Sequence, residues 1–164
     1  MKIISGNLLD FPNGINIICH QANIRNTFGA GIAKQIKIRY PSAYIADVNA
    51  SNNNQAILGG YSYCKISTNK YIFNLYGQDL HTESIAGSAT SYDAIYSALN
   101  NMKKKVFELY SNSIYGETEG FIPHIGFPYY MGCNLGGGNW ELYKKIIEVC
   151  IGNSFQYNFV KYDP

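Results

Sequence analysis

Two glycine-rich segments, roughly a hundred residues apart, carry residue types that could hold an anion with backbone alone. The first reads Cys19-His20-Gln21-Ala22-Asn23-Ile24-Arg25-Asn26-Thr27-Phe28-Gly29-Ala30-Gly31-Ile32-Ala33. The second reads Gly132-Cys133-Asn134-Leu135-Gly136-Gly137-Gly138-Asn139-Trp140. Each follows an apolar run and opens a helical pattern. Glycine lets N–H groups approach an anion without Cβ interference, and a helix N-terminus adds about half a positive charge. Two such loops facing one crevice would grip a diphosphate from both sides. Gly136-Gly137-Gly138 is the more telling of the two, because three successive glycines before a helix lower stability unless the backbone must stay bare.

Other residues near these loops could add specificity or chemistry. Asn23 could donate to and accept from adjacent sugar hydroxyls, or could close an Asx turn. His20 could protonate a leaving oxygen or attack phosphorus, or it could be a structural residue beside a buried strand. His81 follows Gly77-Gln78-Asp79-Leu80 in a loop able to reach a cleft, whereas His124 lies within a strand and reads as structural. Tyr76, Phe127, Tyr129 and Tyr130 fall near strand ends, where an aromatic face could stack on a base or simply pack. The first loop is not a dinucleotide fingerprint, since its third glycine is missing, and no lysine stands in P-loop register. No nucleophile elbow, Cys–His pair or carboxylate pair is assignable. The sequence points more clearly to binding than to a reaction.

Composition narrows the partners. The 164 residues suit one domain, here 1–164, with 46% hydrophobic and 15% charged residues, values typical of a globular chain. Low charge and 15 tyrosines suit neutral sugars and bases. The net charge is +2, and Lys103-Lys104-Lys105, with Glu108 close by, reads as a solvated helix face rather than a nucleic-acid stripe. Cys19, Cys64, Cys133 and Cys150 show neither a C-x-x-C pair nor zinc spacing, so neither a metal nor another cofactor is expected. No leader or membrane span is read, and a cytoplasmic protein is expected.

The elements that would position these residues alternate. Strands are expected at Lys2–Ser5, Ile15–Cys19, Tyr61–Ile66, Tyr71–Tyr76, Phe121–Phe127 and Phe155–Tyr162, with a hairpin through Thr68-Asn69. Helices are expected from Gly31 to Tyr40, after Pro41, after Ser91 and after Asn139. Ala94, Ile95, Ala98 and Met102 should face the core from the third helix, and Leu142, Ile146, Val149 and Cys150 from the fourth. The order implies a three-layer α/β/α domain with a mixed sheet, and both glycine loops fall at carboxyl ends of strands, where open sheets bind ligands.

Gly6-Asn7-Leu8-Leu9, Cys19-His20-Gln21-Ala22-Asn23, Gly29-Ala30-Gly31-Ile32-Ala33 and the Gly132–Trp140 segment, in this order, resemble a macrodomain. Tyr71–Gln78 and Thr90-Ser91-Tyr92-Asp93-Ala94 resemble the stand-alone phage and microbial members similar to the yeast-type ADP-ribose 1″-phosphate phosphatase. The resemblance implies a cleft for ADP-ribose, free or carried on a macromolecule. Asn7 and Leu8 would meet adenine, and Asn23 the distal ribose. Gly29, Ala30, Gly31 and Ile32 would surround the diphosphate with Cys133, Asn134, Leu135, Gly136, Gly137 and Gly138, while Phe127 and Tyr129 would line the side. Asn7 replaces the family's usual aspartate. Gln78 and Gly136 stand near the lysine and aspartate of the glycohydrolases, which puts that mechanism in doubt. Two functions follow as expectations: hydrolysis of ADP-ribose 1″-phosphate or a related ADP-ribosyl compound, with His20, Asn23 and His81 as catalytic candidates, or a non-catalytic reader, sensor or sponge.

Overall fold

A computed structural model describes residues 2–79, 89–114 and 122–163. His81 lies outside them. Six strands and four helices follow the expected alternation: β1 (Lys2–Ser5), β2 (Ile17–Asn23), α1 (Gly31–Arg39), α2 (Pro41–Asn52), β3 (Tyr61–Ser67), β4 (Lys70–Gln78), α3 (Tyr92–Ile114), β5 (His124–Pro128), α4 (Trp140–Ile151) and β6 (Gln156–Lys161). Their sheet order is β1-β6-β5-β2-β4-β3, parallel throughout except for β3, which pairs antiparallel with β4. The β3–β4 hairpin turns at Asn69 with φ of 60°, a left-handed conformation that asparagine tolerates.

Side-chain alternation along β2 divides the core. Ile17 and Cys19 join Phe73, Leu75, Ile95, Leu99, Tyr143 and Ile147 beneath α3 and α4. Ile18 and Ala22 join Ile36, Ala43, Ile72 and Tyr76 beneath α1 and α2. The result is three layers with both sheet faces covered, as a mainly parallel sheet requires. Helix α3 buries Ala94, Ile95, Ala98 and Met102, the face its periodicity indicates. Helix α4 departs from expectation: Leu142 and Val149 are exposed, and Trp140, Tyr143, Ile147, Cys150 and Ile151 face inward. Two apolar stripes compete on that helix, and the larger aromatic one takes the sheet.

Strand β2 begins later and ends later than the apolar run predicts. It extends through His20, Gln21, Ala22 and Asn23, because β4 supplies a partner along its length, from Ile17 opposite Tyr71 to Asn23 opposite Gln78. That extension decides where the neighbouring polar side chains point. The four cysteines are free thiols. Among the described residues, no helix is long and apolar enough to cross a membrane, and no cluster of metal-ligating side chains occurs.

Candidate functional site

The carboxyl ends of β1, β6, β5, β2 and β4 open into one cleft of about 470 Å³. Sheet order arranges its lining in sequence. Asn7, Leu8, Val160 and Tyr162 form one end, the two glycine loops the middle, and Gln21, Asn23 and Gln78 the other end. Among the described residues lining it there is no Asp, Glu, Lys, Arg or His. Its polarity comes from amides, hydroxyls and backbone.

The first loop presents its backbone openly. Ala30 is the N-cap of α1 in extended conformation, and it has no side chain able to bond the first-turn N–H groups. Those of Gly31, Ile32 and Ala33 therefore lack the partner a helix start normally takes, and all three residues line the cleft. A Cβ added at Gly29 or Gly31 would meet nothing within 4 Å. Gly31 has φ of 55° and so also needs glycine's freedom. The helix dipole leaves positive potential at this end.

The second loop is bonded to itself. Gly137 N donates to Asn134 O at 3.0 Å, and Gly138 N to Gly132 O at 2.9 Å. Asn139 caps α4, its Oδ1 accepting from Leu142 N at 3.1 Å, while its own N–H donates to the Tyr92 hydroxyl at 2.7 Å. Gly132, Asn134, Leu135 and Gly136 line the cleft, whereas Cys133, Gly137 and Gly138 do not. The Cys133 thiol donates to Met131 O at 3.3 Å, and burial raises its pKa, which disfavours a thiolate. Close packing explains two of these glycines, since a Cβ at Gly136 would lie 2.6 Å from Gly132 O and one at Gly138 2.8 Å from the same oxygen, while Gly137 has φ of 64°. The expectation of a bare triple-glycine cradle is thus corrected for Gly137 and Gly138.

Asn23 lines the cleft and also organises the first loop. Its Oδ1 accepts from Arg25 N at 2.8 Å and Thr27 N at 3.3 Å, and its Nδ2 donates to Thr27 O at 3.0 Å. The Asx-turn reading holds, with one amide hydrogen left over. Asn7 Oδ1 accepts from Leu9 N at 3.0 Å and so caps the turn over Leu8–Asp10, leaving Nδ2 as donor. Arg25 and Asp79 pair at 2.8 Å beyond the ends of β2 and β4.

Two further expected site residues lie elsewhere. His20 is fully buried on the α1/α2 face, its Nε2 bonded to Asn74 Oδ1 at 2.7 Å and its ring edge-on to Phe28. Burial lowers its pKa to about 4, so it is neutral and cannot reach the cleft as an acid or nucleophile. Phe127 is also fully buried, packed against Tyr157 and Phe159, while Tyr129 does line the cleft beside Tyr130. His124 is structural as expected, Nε2 meeting Asn158 Oδ1 at 2.6 Å. Sequence reasoning missed Thr27, Gln21, Gln78, Met131 and Tyr162 as lining residues. Alternation from the buried Cys19 to Gln21 along β2 was the available signal for Gln21, once the strand was extended to Asn23.

No protein-family model matches the chain. An uncharacterised 17.5 kDa protein of Enterobacteria phage T4 is 28% identical over 153 residues, covering 90% of this chain and 88% of its own. Among solved structures, the macrodomain of Mycobacterium tuberculosis DarG superposes with a TM-score of 0.73 at 20% identity, over 99% of this chain and 97% of that one. Thermosipho africanus DarTG in complex with ADP-ribose superposes with a TM-score of 0.70 at 14% identity, over 99% of this chain and 42% of that one. Motif order, strand order and near-complete superposition coincide: this chain has the macrodomain fold.

Proposed function

We propose that the cleft binds ADP-ribose, free or as the exposed end of a modified macromolecule, and that it does so as a reader rather than a hydrolase. One observation carries the reading: an uncapped helix N-terminus with bare glycines sits midway along a cleft whose ends offer amides, hydroxyls and apolar walls. A diphosphate joining two neutral groups has that pattern of charge. Its phosphates would take the open N–H groups of Gly31, Ile32 and Ala33, where charge-assisted bonds are strongest. Asn7 Nδ2 would donate to a ring nitrogen of adenine over Leu8, and the spare Asn23 amide hydrogen would meet the distal ribose. The similarity to a fold seen with ADP-ribose in DarTG supports the choice of ligand.

The reader assignment rests on the lining. Acid–base transfer needs a titratable group within hydrogen-bond reach of the reacting oxygen. Among the described residues, the cleft offers only tyrosine hydroxyls, and His20 is turned away beneath the sheet. Calorimetry with ADP-ribose is the test, with an expected dissociation constant in the micromolar range, about −8 kcal/mol. Phosphate release from ADP-ribose 1″-phosphate, assayed on the same protein, should stay at background. Turnover well above background would overturn the reader assignment, and absence of binding at millimolar ADP-ribose would overturn the ligand.

A further inference from the structure

One polar side chain in the cleft wall is committed wholly to its neighbours. Gln21 Nε2 donates to Gln78 Oε1 at 2.5 Å and to Thr90 Oγ1 at 2.9 Å. Gln21 Oε1 accepts from the Tyr143 hydroxyl, and Thr90 Oγ1 donates onward to Gly132 O at 3.0 Å. Burial holds the Tyr143 hydroxyl protonated by raising its pKa well above the usual value, and it donates to the amide oxygen, which can only accept. Both amide hydrogens of Gln21 are thereby used. The relay ties together the end of β2, the end of β4, the start of α3, helix α4 and the second loop.

The backbone is shaped around this amide. A Cβ at Gly77 would lie 2.9 Å from Gln21 Oε1, one at Gly132 2.8 Å from the same oxygen, and one at Gly136 3.1 Å from Gln21 Nε2. Two chain segments, β4 and the second loop, thus give up side chains where they approach Gln21, with Ile95 and Tyr143 crowding Gly77 and Gly132 closer still. Gly136 O is drawn into the same corner, accepting from Thr90 N at 3.1 Å. Committing both amide hydrogens and the oxygen of Gln21 favours one arrangement, because any alternative leaves one of these bonds unmade.

We infer that Gln21 is the positioning residue of the far wall, holding Gln78 where it discriminates a ribosylated diphosphate from a bare nucleoside diphosphate. Gln21 itself has no hydrogen left to offer a ligand, so it acts through Gln78, with Thr90 fixing its amide. Sheet order puts this corner at the β2–β4 end, away from Asn7 and Tyr162. ADP would occupy the near end and the middle; only the second ribose would reach Gln78. The inference rests on the ligand reading above.

The experiment compares affinities for ADP-ribose and ADP on the same folded variants, with melting temperature as control. Gln21→Ala and Thr90→Val should each weaken ADP-ribose by about tenfold, the scale of one lost hydrogen bond at a fixed site, while changing ADP less than about twofold. Thr90→Ser, which keeps the hydroxyl, should restore the preference. If Gln21→Ala does not fold, the Thr90 pair decides. A merely structural relay would lower melting temperature and both affinities in parallel, or leave the ADP-ribose to ADP ratio at its wild-type value; either result overturns the inference. Wild-type protein that binds neither nucleotide overturns the ligand reading as well, which separates the two failures.

Discussion

The two glycine loops look alike in sequence and are built on opposite terms. The first ends at a helix start with no side-chain cap, and its glycines border open space. The second ends at a helix start capped by Asn139, with Gly136 and Gly138 pressed against Gly132 O and the N–H groups at 137 and 138 consumed internally. Glycine serves exposure in one loop and close packing in the other. The uncapped first turn of α1 is a standing invitation to an anion, whereas in α4 the Asn139 side chain already takes the Leu142 N–H. Substitutions should therefore separate affinity from stability according to the loop they strike.

The largest effect should come from Gly31→Val. A branched residue at φ of 55° is strained, and its side chain enters the space proposed for phosphate. ADP-ribose affinity should fall about a hundredfold or more, with about 1–2 kcal/mol lost in stability from the backbone alone. Calorimetry and denaturant unfolding on one preparation measure both. Affinity within a factor of about two of wild type would remove the first loop from the site.

His20 sharpens the comparison from the other face of β2. Its folded pKa of about 4 lies below the unfolded value of about 6.5, and burial is the main cause. The contribution is therefore complete above pH ~6.5 and lost as pH falls from there toward ~4, as the unfolded chain takes the proton first. That linkage is worth about 3 kcal/mol, on the order of 1.4 kcal/mol per unit. Buried Asp47 works in the opposite sense, its raised pKa favouring the folded state as pH drops, so the variant must be compared with wild type. Urea titrations across this window should show a shallower acid slope for His20→Gln. Equal slopes would mean that the histidine is not held neutral. ADP-ribose affinity at pH 7.5 should be unchanged in the folded variant.

A matched pair of alanines isolates the two uses of glycine. Gly136→Ala puts a Cβ 2.6 Å from both Gly132 O and Thr90 Oγ1, and should cost about 1–3 kcal/mol of stability. Gly29→Ala meets nothing within 4 Å, so its stability should stay within about 0.5 kcal/mol of wild type. Its affinity for ADP-ribose should nonetheless fall about tenfold, as the added methyl displaces phosphate from the loop. The comparison breaks if Gly29→Ala is the less stable of the two.

Local signals explain what the sequence made legible. Alternation, Pro41 and the Asn69 turn are short-range features, and each stands where the residues place it. The failures are tertiary. His20 was read beside a loop because the apolar run stops at Cys19, yet pairing with β4 carries the strand to Asn23 and turns His20 beneath α1. Ile18, His20 and Ala22 share a face, so period-two reading of a longer strand would have placed the histidine in the core. Gly-Gly-Gly was read as one functional run, but only contact with Gly132 O and Thr90 distinguishes packing from exposure. The Gln21 relay joins residues up to 122 positions apart, and no local pattern announces it.

The smallest expected effect tests why α1 lacks a cap. Ala30 has the extended conformation of an N-cap, φ −147° and ψ 169°, but no oxygen to accept from the first turn. Serine there fits without backbone change and would satisfy one open donor, which typically stabilises a helix start by about 0.5–1 kcal/mol. The same hydroxyl would compete with phosphate for that donor. Ala30→Ser should thus melt higher than wild type and bind ADP-ribose a few-fold more weakly, about 0.5–1 kcal/mol in the opposite direction. Asn139→Ala, the reverse change on α4, should lower stability by about 1 kcal/mol and leave ADP-ribose affinity nearly untouched. If Ala30→Ser gains stability without losing affinity, the open donors of α1 are not what holds the ligand, and the difference between the loops is one of packing alone.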